Sequence, residues 1–151
     1  MVAGHGRPFY MNGWNSYWLM DHGVDEYSRS RISAMLQAGA KMGLTVCRTW
    51  AFNDGAYNAL QISPRQFDER SLDHLIAETR KHGIRLKLSL VNHLQAYGGK
   101  TQYVQWAWEV GVGLSASNDS FLYNPIDFES VLYFEKQFRF SIRENLIMLY
   151  S

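Results

Sequence analysis

Arg48 and Trp50 close the run LTVCRTW, and Asn92 closes the run IRLKLSLVN. A guanidinium offers five donors in a planar fork and does not lose its charge, so Arg48 suits a carboxylate held in one orientation. The flat indole of Trp50 suits the C–H face of a pyranose ring. Asn92 both donates and accepts, as recognition of sugar hydroxyls requires. Trp14, Asn15 and Tyr17 in PFYMNGWNSY, and His93 next to Asn92, are further polar and aromatic groups of the same kind. By spacing alone, Arg48 reads equally well as the partner of a structural ion pair, and Trp50 as a core residue.

Other chemistries find less support. His74 and His82 share one helical stretch and read as solvated, while His5 and His22 have no companion at metal-ligand spacing. No metal site is expected. There is no GxGxxG, P-loop, CxxC pair or HExxH, and no cofactor is expected. Asp21, Asp25 and Glu26 read as loop solvation and the acidic start of a helix. Cys47 is the single cysteine, which rules out an intrachain disulfide. Its neighbours Leu44, Thr45 and Val46 favour a small buried hydrophobe over a reactive thiol.

The elements that must carry these groups alternate. PFYMNGWNSY reads as a strand with a polar, aromatic exit. Ile32, Met35, Leu36 and Gly39 fall at helical spacing within a helix over 31–42, with Gly43 at the C-cap. Residues 44–49 form the second strand, and a long loop follows. Asp68 is an N-cap for a second helix whose Leu72, Leu75, Ile76 and Thr79 share one face. Arg80, Lys81 and His82 suit its C-terminal dipole, and Gly83 closes it. Residues 84–91 form the third strand, and 101–110 a third helix. Alternating strand and helix predicts parallel strands with right-handed crossovers, an α/β architecture. Ligands of such folds bind beyond the carboxyl ends of the strands, where Trp14, Asn15, Tyr17, Arg48, Trp50, Asn92 and His93 all converge.

Bulk composition narrows the ligand. The chain has 151 residues, 46% of them hydrophobic and 19% charged, with a formal net charge of +1. That describes a globular domain, and without a basic stripe there is no case for nucleic acid. Aromatic residues reach 15%, with 9 Tyr, 8 Phe and 5 Trp, a surplus that favours sugar stacking. Apolar runs are too short to span a membrane, and MVAGHGRPFY lacks the apolar core of a signal peptide. The chain is therefore expected either to stay inside the cell or to lack its true N-terminus.

The blocks FYMNGWNSYWLMD, AGAKMGLTVCRTWAFND, YNALQISP and SLVNHLQAYGGKTQYVQWAW resemble the plant endo-β-1,4-mannanases of glycoside hydrolase family 5. The resemblance covers about residues 7 to 121. It implies a (β/α)8 barrel that hydrolyses internal β-1,4-mannosidic bonds of mannan, glucomannan and galactomannan with retention. It implies that Trp50 binds substrate, that Arg48 supports the nucleophilic carboxylate, and that Asn92 lies on the same rim; the strand-exit reading adds Trp14 to that rim as a substrate-binding residue. It also implies secretion to the cell wall.

A retaining glycosidase needs two carboxylates about 5–5.5 Å apart. The family carries them on its fourth and seventh strands, the first in an Asn-Glu-Pro turn that is absent from this sequence. His93 replaces an asparagine, and DERSLDHLIAE is short of a few residues. A barrel takes about 250 residues. The reading is thus α/β: the first three βα units of a TIM barrel over 1–121, followed by a divergent tail over 122–151. In that tail Phe128, Val131, Leu132, Phe138, Ile142 and Leu149 suggest an amphipathic helix. A truncated gene, an alternative transcript or a misassembled gene would produce such a chain. The expectation is an inactive chain without catalytic glutamates. The alternatives are a non-catalytic mannan-binding fragment and an unstable product whose third strand is left as an open edge.

Overall fold

The computed structural model describes residues 10–55, 57–64, 66–68, 70–92, 95–111 and 146–149. In chain order these form β1 (Gly13–Asn15), α1 (Leu19–His22), α2 (Glu26–Lys41) and β2 (Val46–Trp50). They continue with β3 (Gln61–Ser63), β4 (Gln66–Phe67), α3 (Arg70–Lys81), β5 (Arg85–Ser89), α4 (Gly99–Glu109) and β6 (Leu146–Leu149). One sheet runs in the order β1-β2-β5-β6 with every pair parallel, and β3 pairs with β4 in a separate antiparallel ribbon. Parallel neighbours put all their carboxyl ends on one side, the geometry that the alternation of elements predicts.

Local chemistry sets the boundaries. The helix predicted over 31–42 begins at Glu26, because the Asp25 side chain accepts from the N–H groups of Tyr27 and Ser28, both at 3.2 Å. These bonds, the one from Tyr27 foremost, lower the Asp25 carboxyl pKa. In the first turn Tyr27 is exposed and the buried residue is the polar Ser28, so apolar periodicity alone starts the helix late. At its other end Gly43 has φ +75°, and Leu44 N–H donates to Gly39 C=O at 3.0 Å. Gly83 (φ +66°) repeats this after α3, with Ile84 N–H on Thr79 C=O at 3.0 Å. That helix exit uses the Leu44 N–H, so β2 starts at Val46 rather than 44.

The core lies between one face of the sheet and the helices. Leu19, Ile32, Leu36, Cys47, Leu72, Leu75, Leu86 and Leu88 are all buried there. Each such leucine contributes about 1.5–3 kcal/mol by leaving water. The predicted apolar face of α3 is buried in full. Cys47 is enclosed, and burial pushes its thiol up to about 12. Between α2 and α3, Ser33 Oγ donates to Glu78 Oε2 at 2.7 Å, and Lys81 Nζ pairs with Glu78 Oε1. These partners, Lys81 first, lower the Glu78 carboxyl pKa.

Three expectations need correction. The third strand is not an open edge: β5 pairs with β6, Leu86 to Leu146 through Ser89 to Leu149. Leu149, assigned to an amphipathic helix, lies on that strand, since apolar residues in a short run serve a buried parallel strand as well as a helix. The remainder of the tail expectation falls outside the described residues. His74 is also not solvated. It is half-buried on α3 with a buried Nε2, and desolvation, followed by the charges of Arg29 and Lys81, lowers its pKa.

Candidate functional site

Strand register decides which groups meet. Asn15 pairs with Arg48, which pairs with Lys87, and one level higher Trp50 pairs with Ser89. Paired residues share a face. These five therefore lie on the face opposite the helices, while Trp14, Cys47, Leu86 and Leu88 lie on the helix side.

At the carboxyl ends of the strands an aromatic cluster surrounds Trp50. Its ring stacks on Phe52 at 4.8 Å and 22°, and lies 4.9 Å from Tyr17 and 5.3 Å from Tyr97. Phe52 is 1% exposed, so it forms the floor, whereas Tyr17 is 49% exposed and opens the cluster to solvent. Edge and stacked pairs of this kind add about 0.5–1.5 kcal/mol each beyond burial, which fixes the indole in place. Beside the cluster a cavity of about 430 Å³ is lined by Tyr17, Trp18, Asp21, His22, Arg31 and Tyr97. Burial, then Tyr17 and Asp21, hold the Tyr97 phenol above its usual pKa.

Tyr97 is positioned from behind by a buried polar cluster. It occupies φ +63°, followed by Gly98 at +85° and Gly99 at +56°. Its carbonyl accepts from Asp54 N–H at 3.0 Å. A Cβ on Gly98 would stand 2.3 Å from the Asp54 carbonyl oxygen, so only glycine allows this approach. Asp54 is 2% exposed, and desolvation drives its carboxyl pKa well above the ordinary value. Tyr103 Oη donates to Gln61 Oε1 at 2.7 Å within the same cluster.

The four residues singled out from sequence do not all converge. Trp50 and Arg48 share a face, and Arg48 Nη2 donates to Ser89 Oγ at 3.0 Å, which orients the guanidinium. Among the described residues Arg48 has no ion pair, so the structural ion-pair reading gains nothing. Asn92 organises its own loop: its Nδ2 donates to Ala96 C=O at 3.2 Å, and its carbonyl accepts from Lys100 N–H. Its Oδ1 has no partner among the described residues. Trp14 is turned away. Its Nε1 donates to Ser16 Oγ at 3.1 Å, and its ring packs over Gly39 of α2. His93 lies outside the described residues. Tyr97 and Phe52 are contacts that residue-type reasoning passed over. A tyrosine before Gly-Gly, where positive φ is needed, was the available signal.

Comparison with known proteins gives the context of this geometry. Residues 1–145 match the family described as GH family 5 beta-mannosidase-like. The chain is 73% identical over 123 residues to mannan endo-1,4-beta-mannosidase 2 of Arabidopsis thaliana, covering 80% of this chain and 28% of that protein. It is 66% identical over 123 residues to mannan endo-1,4-beta-mannosidase 2 of Oryza sativa subsp. japonica, with the same coverage of 80% and 28%. The chain thus spans less than a third of the length of these curated relatives. The crystal structure of the endo-beta-1,4-mannanase from Thermotoga petrophila superposes with a TM-score of 0.71 at 25% identity, over 88% of this chain and 30% of that one. An endo-1,4-beta-mannanase from Rhizomucor miehei gives 0.65 at 25% identity, over 87% and 37%. The sheet and its helices are accordingly part of a TIM barrel, and the chain belongs to the glycoside hydrolase family 5 β-mannosidase-like family.

Proposed function

We propose that this chain supplies the face of a mannan-binding cleft built on β1, β2 and β5, as part of an endo-β-1,4-mannosidase framework. The observation that carries the reading is the indole of Trp50, fixed at a strand exit by Tyr17, Phe52 and Tyr97 beside an open cavity. A rigid aromatic platform on sheet ends accepts a pyranose with little ordering cost. Asn92, whose Oδ1 is buried and without a partner among the described residues, sits at the neighbouring strand exit as the sugar-binding residue of this reading. Arg48, oriented by Ser89, presents its fork to a carboxylate. The division into 1–121 and 122–151, and action at cell-wall mannan, belong to this reading.

Hydrolysis needs proton donation and nucleophilic attack by two carboxylates. These 151 residues contain no Asn-Glu-Pro. The chain by itself therefore binds mannan without cutting it. Affinity electrophoresis of the 151-residue protein in glucomannan gels tests the binding. A mobility shift is expected, and Trp50→Ala removes it, because truncating a central aromatic weakens binding by about ten-fold or more. An unshifted wild-type band overturns the reading. Reducing-sugar release from galactomannan by the purified chain overturns the second half.

A further inference from the structure

We propose that Asp54 and Tyr103 are positioning residues for sugar at Trp50: with Gln61 they form a buried proton relay that seats the Tyr97 turn, and seats it best when the Asp54 carboxyl is protonated. The inference deepens the mannan-cleft reading and rests on it for the sugar. Asp54, Gln61 and Tyr103 are 2%, 0% and 4% exposed. Tyr103 Oη donates to Gln61 Oε1 at 2.7 Å and is also hydrogen-bonded to the Asp54 carboxyl. A phenol carries one proton. With that proton on Gln61, the bond between Tyr103 and Asp54 needs a proton from the acid itself. The acid, the phenol and the Gln61 carbonyl then make one chain of donors running in a single direction. When Asp54 gives its proton to solvent, the phenol proton turns toward the carboxylate, and the Gln61 amide must rotate to bring its N–H onto the phenol oxygen.

The relay bears on Tyr97 through the backbone. Asp54 N–H donates to the Tyr97 carbonyl at 3.0 Å, and a Cβ on Gly98 would stand 2.7 Å from Asp54 Cβ. Helix α4 starts at Gly99, directly after this turn, so Tyr103 lies about one helical turn in. Gly55 N–H donates to the Gln61 carbonyl at 2.9 Å, which ties the other end of the relay to the exit of β2. All of these contacts are made within residues 53–103. The Asp54 carboxyl meets the Asn53 N–H from its own loop and Tyr103 from α4, and no charged side chain among the described residues acts on it. The phenol of Tyr97 in the adjoining turn answers to Tyr17 and Asp21 instead. Burial favours the neutral acid, because a charge in this dry junction loses its hydration. Ionisation therefore loosens the turn, and with it the Tyr97 ring that stands 5.3 Å from Trp50.

The test is calorimetric titration of the 151-residue chain with mannohexaose from about pH 4 to about pH 9, beside near-ultraviolet circular dichroism of the sugar-free chain, which follows the aromatic cluster. A sugar that binds the protonated form binds about ten-fold more weakly one pH unit above the Asp54 midpoint than at the acid end, as the competent fraction falls. Asp54→Asn, whose amide donates as the acid does, keeps the acid-end affinity throughout and removes the matching step from the near-ultraviolet signal. Far-ultraviolet circular dichroism confirms that the variants fold. Tyr103→Phe moves the midpoint to higher pH, because the carboxylate loses its donor. A measurable affinity that is the same at every pH, a step that survives Asp54→Asn, or a midpoint unmoved by Tyr103→Phe overturns the proposal. Absence of mannohexaose binding at every pH, with the step present in the sugar-free chain and gone in Asp54→Asn, sinks the cleft reading while the relay stands.

Discussion

Replacing Gly39 by alanine sets two effects of opposite sign against each other, and the placement of Trp14 decides the winner. Gly39 lies in the last turn of α2, two residues before its end at Lys41. There alanine is favoured over glycine by at most the helix-interior value of about 0.5–1 kcal/mol, because glycine loses more backbone freedom on folding. The added Cβ would stand 2.7 Å from Trp14 Cη2 and 2.9 Å from Cζ3. Carbon atoms prefer about 3.5–4.0 Å, so the ring must retreat by about 1 Å. It is tethered by Nε1 to Ser16 Oγ at 3.1 Å, and that hydroxyl donates onward to Met35 Sδ at 3.2 Å. Overpacking of this kind costs about 1–3 kcal/mol. The net expectation for Gly39→Ala is destabilisation of about 1–2 kcal/mol, with a melting temperature lower by about 2–4 °C per kcal/mol. Urea denaturation followed by circular dichroism measures it. In a double-mutant cycle, Trp14→Phe recovers part of the loss, since the smaller ring leaves room for the methyl. If Trp14 stood on the sugar rim, Gly39→Ala would stabilise and show no coupling to position 14. That result would refute the packing described here.

The buried cluster behind Tyr97 yields two more expectations. The Asp54 pKa is raised by desolvation, so its favourable contribution is present below the unfolded value of about 3.8 and is lost as pH rises through the folded one. Asp54→Asn is neutral at every pH, so its melting temperature relative to wild type should climb as pH rises from 4, and a constant difference would contradict this. Gly98→Ala forces a methyl against the Asp54 carbonyl at a residue with φ +85°, a strain of about 1–3 kcal/mol from the backbone alone. It should unseat Tyr97 and weaken mannan binding, and an unchanged affinity would separate Tyr97 from the site.

Much of the framework is legible in local sequence because its causes are local. The face of α3 follows from Leu72, Leu75, Ile76 and Thr79 at helical spacing, and the helix exits follow from Gly43 and Gly83, whose positive φ few other residues adopt. The position of β2 and β5, and so of Arg48 and Trp50 near one rim, follows from β-branched and apolar runs. The alternation of strand and helix then fixes parallel pairing and the side on which ligands bind.

What local sequence leaves open is parity and partnership. Trp14 and Asn15 are neighbours, and strand alternation sends them to opposite faces, but both faces of a parallel strand are covered and the pattern does not say which is which. Only packing on Gly39 assigns Trp14 to the helix side. Tyr97 joins Trp50 across 47 positions of sequence, and β6 joins β5 across a longer gap, contacts whose loop-closure entropy no local signal reports. Arg48 and Lys87 are likewise distant along the chain and adjacent in the sheet. Sequence by itself determined the family, the strands and the residues able to bind sugar or carboxylate. The tertiary structure alone decided which of them share a face, because register, set by pairing between distant segments, places side chains beside one another.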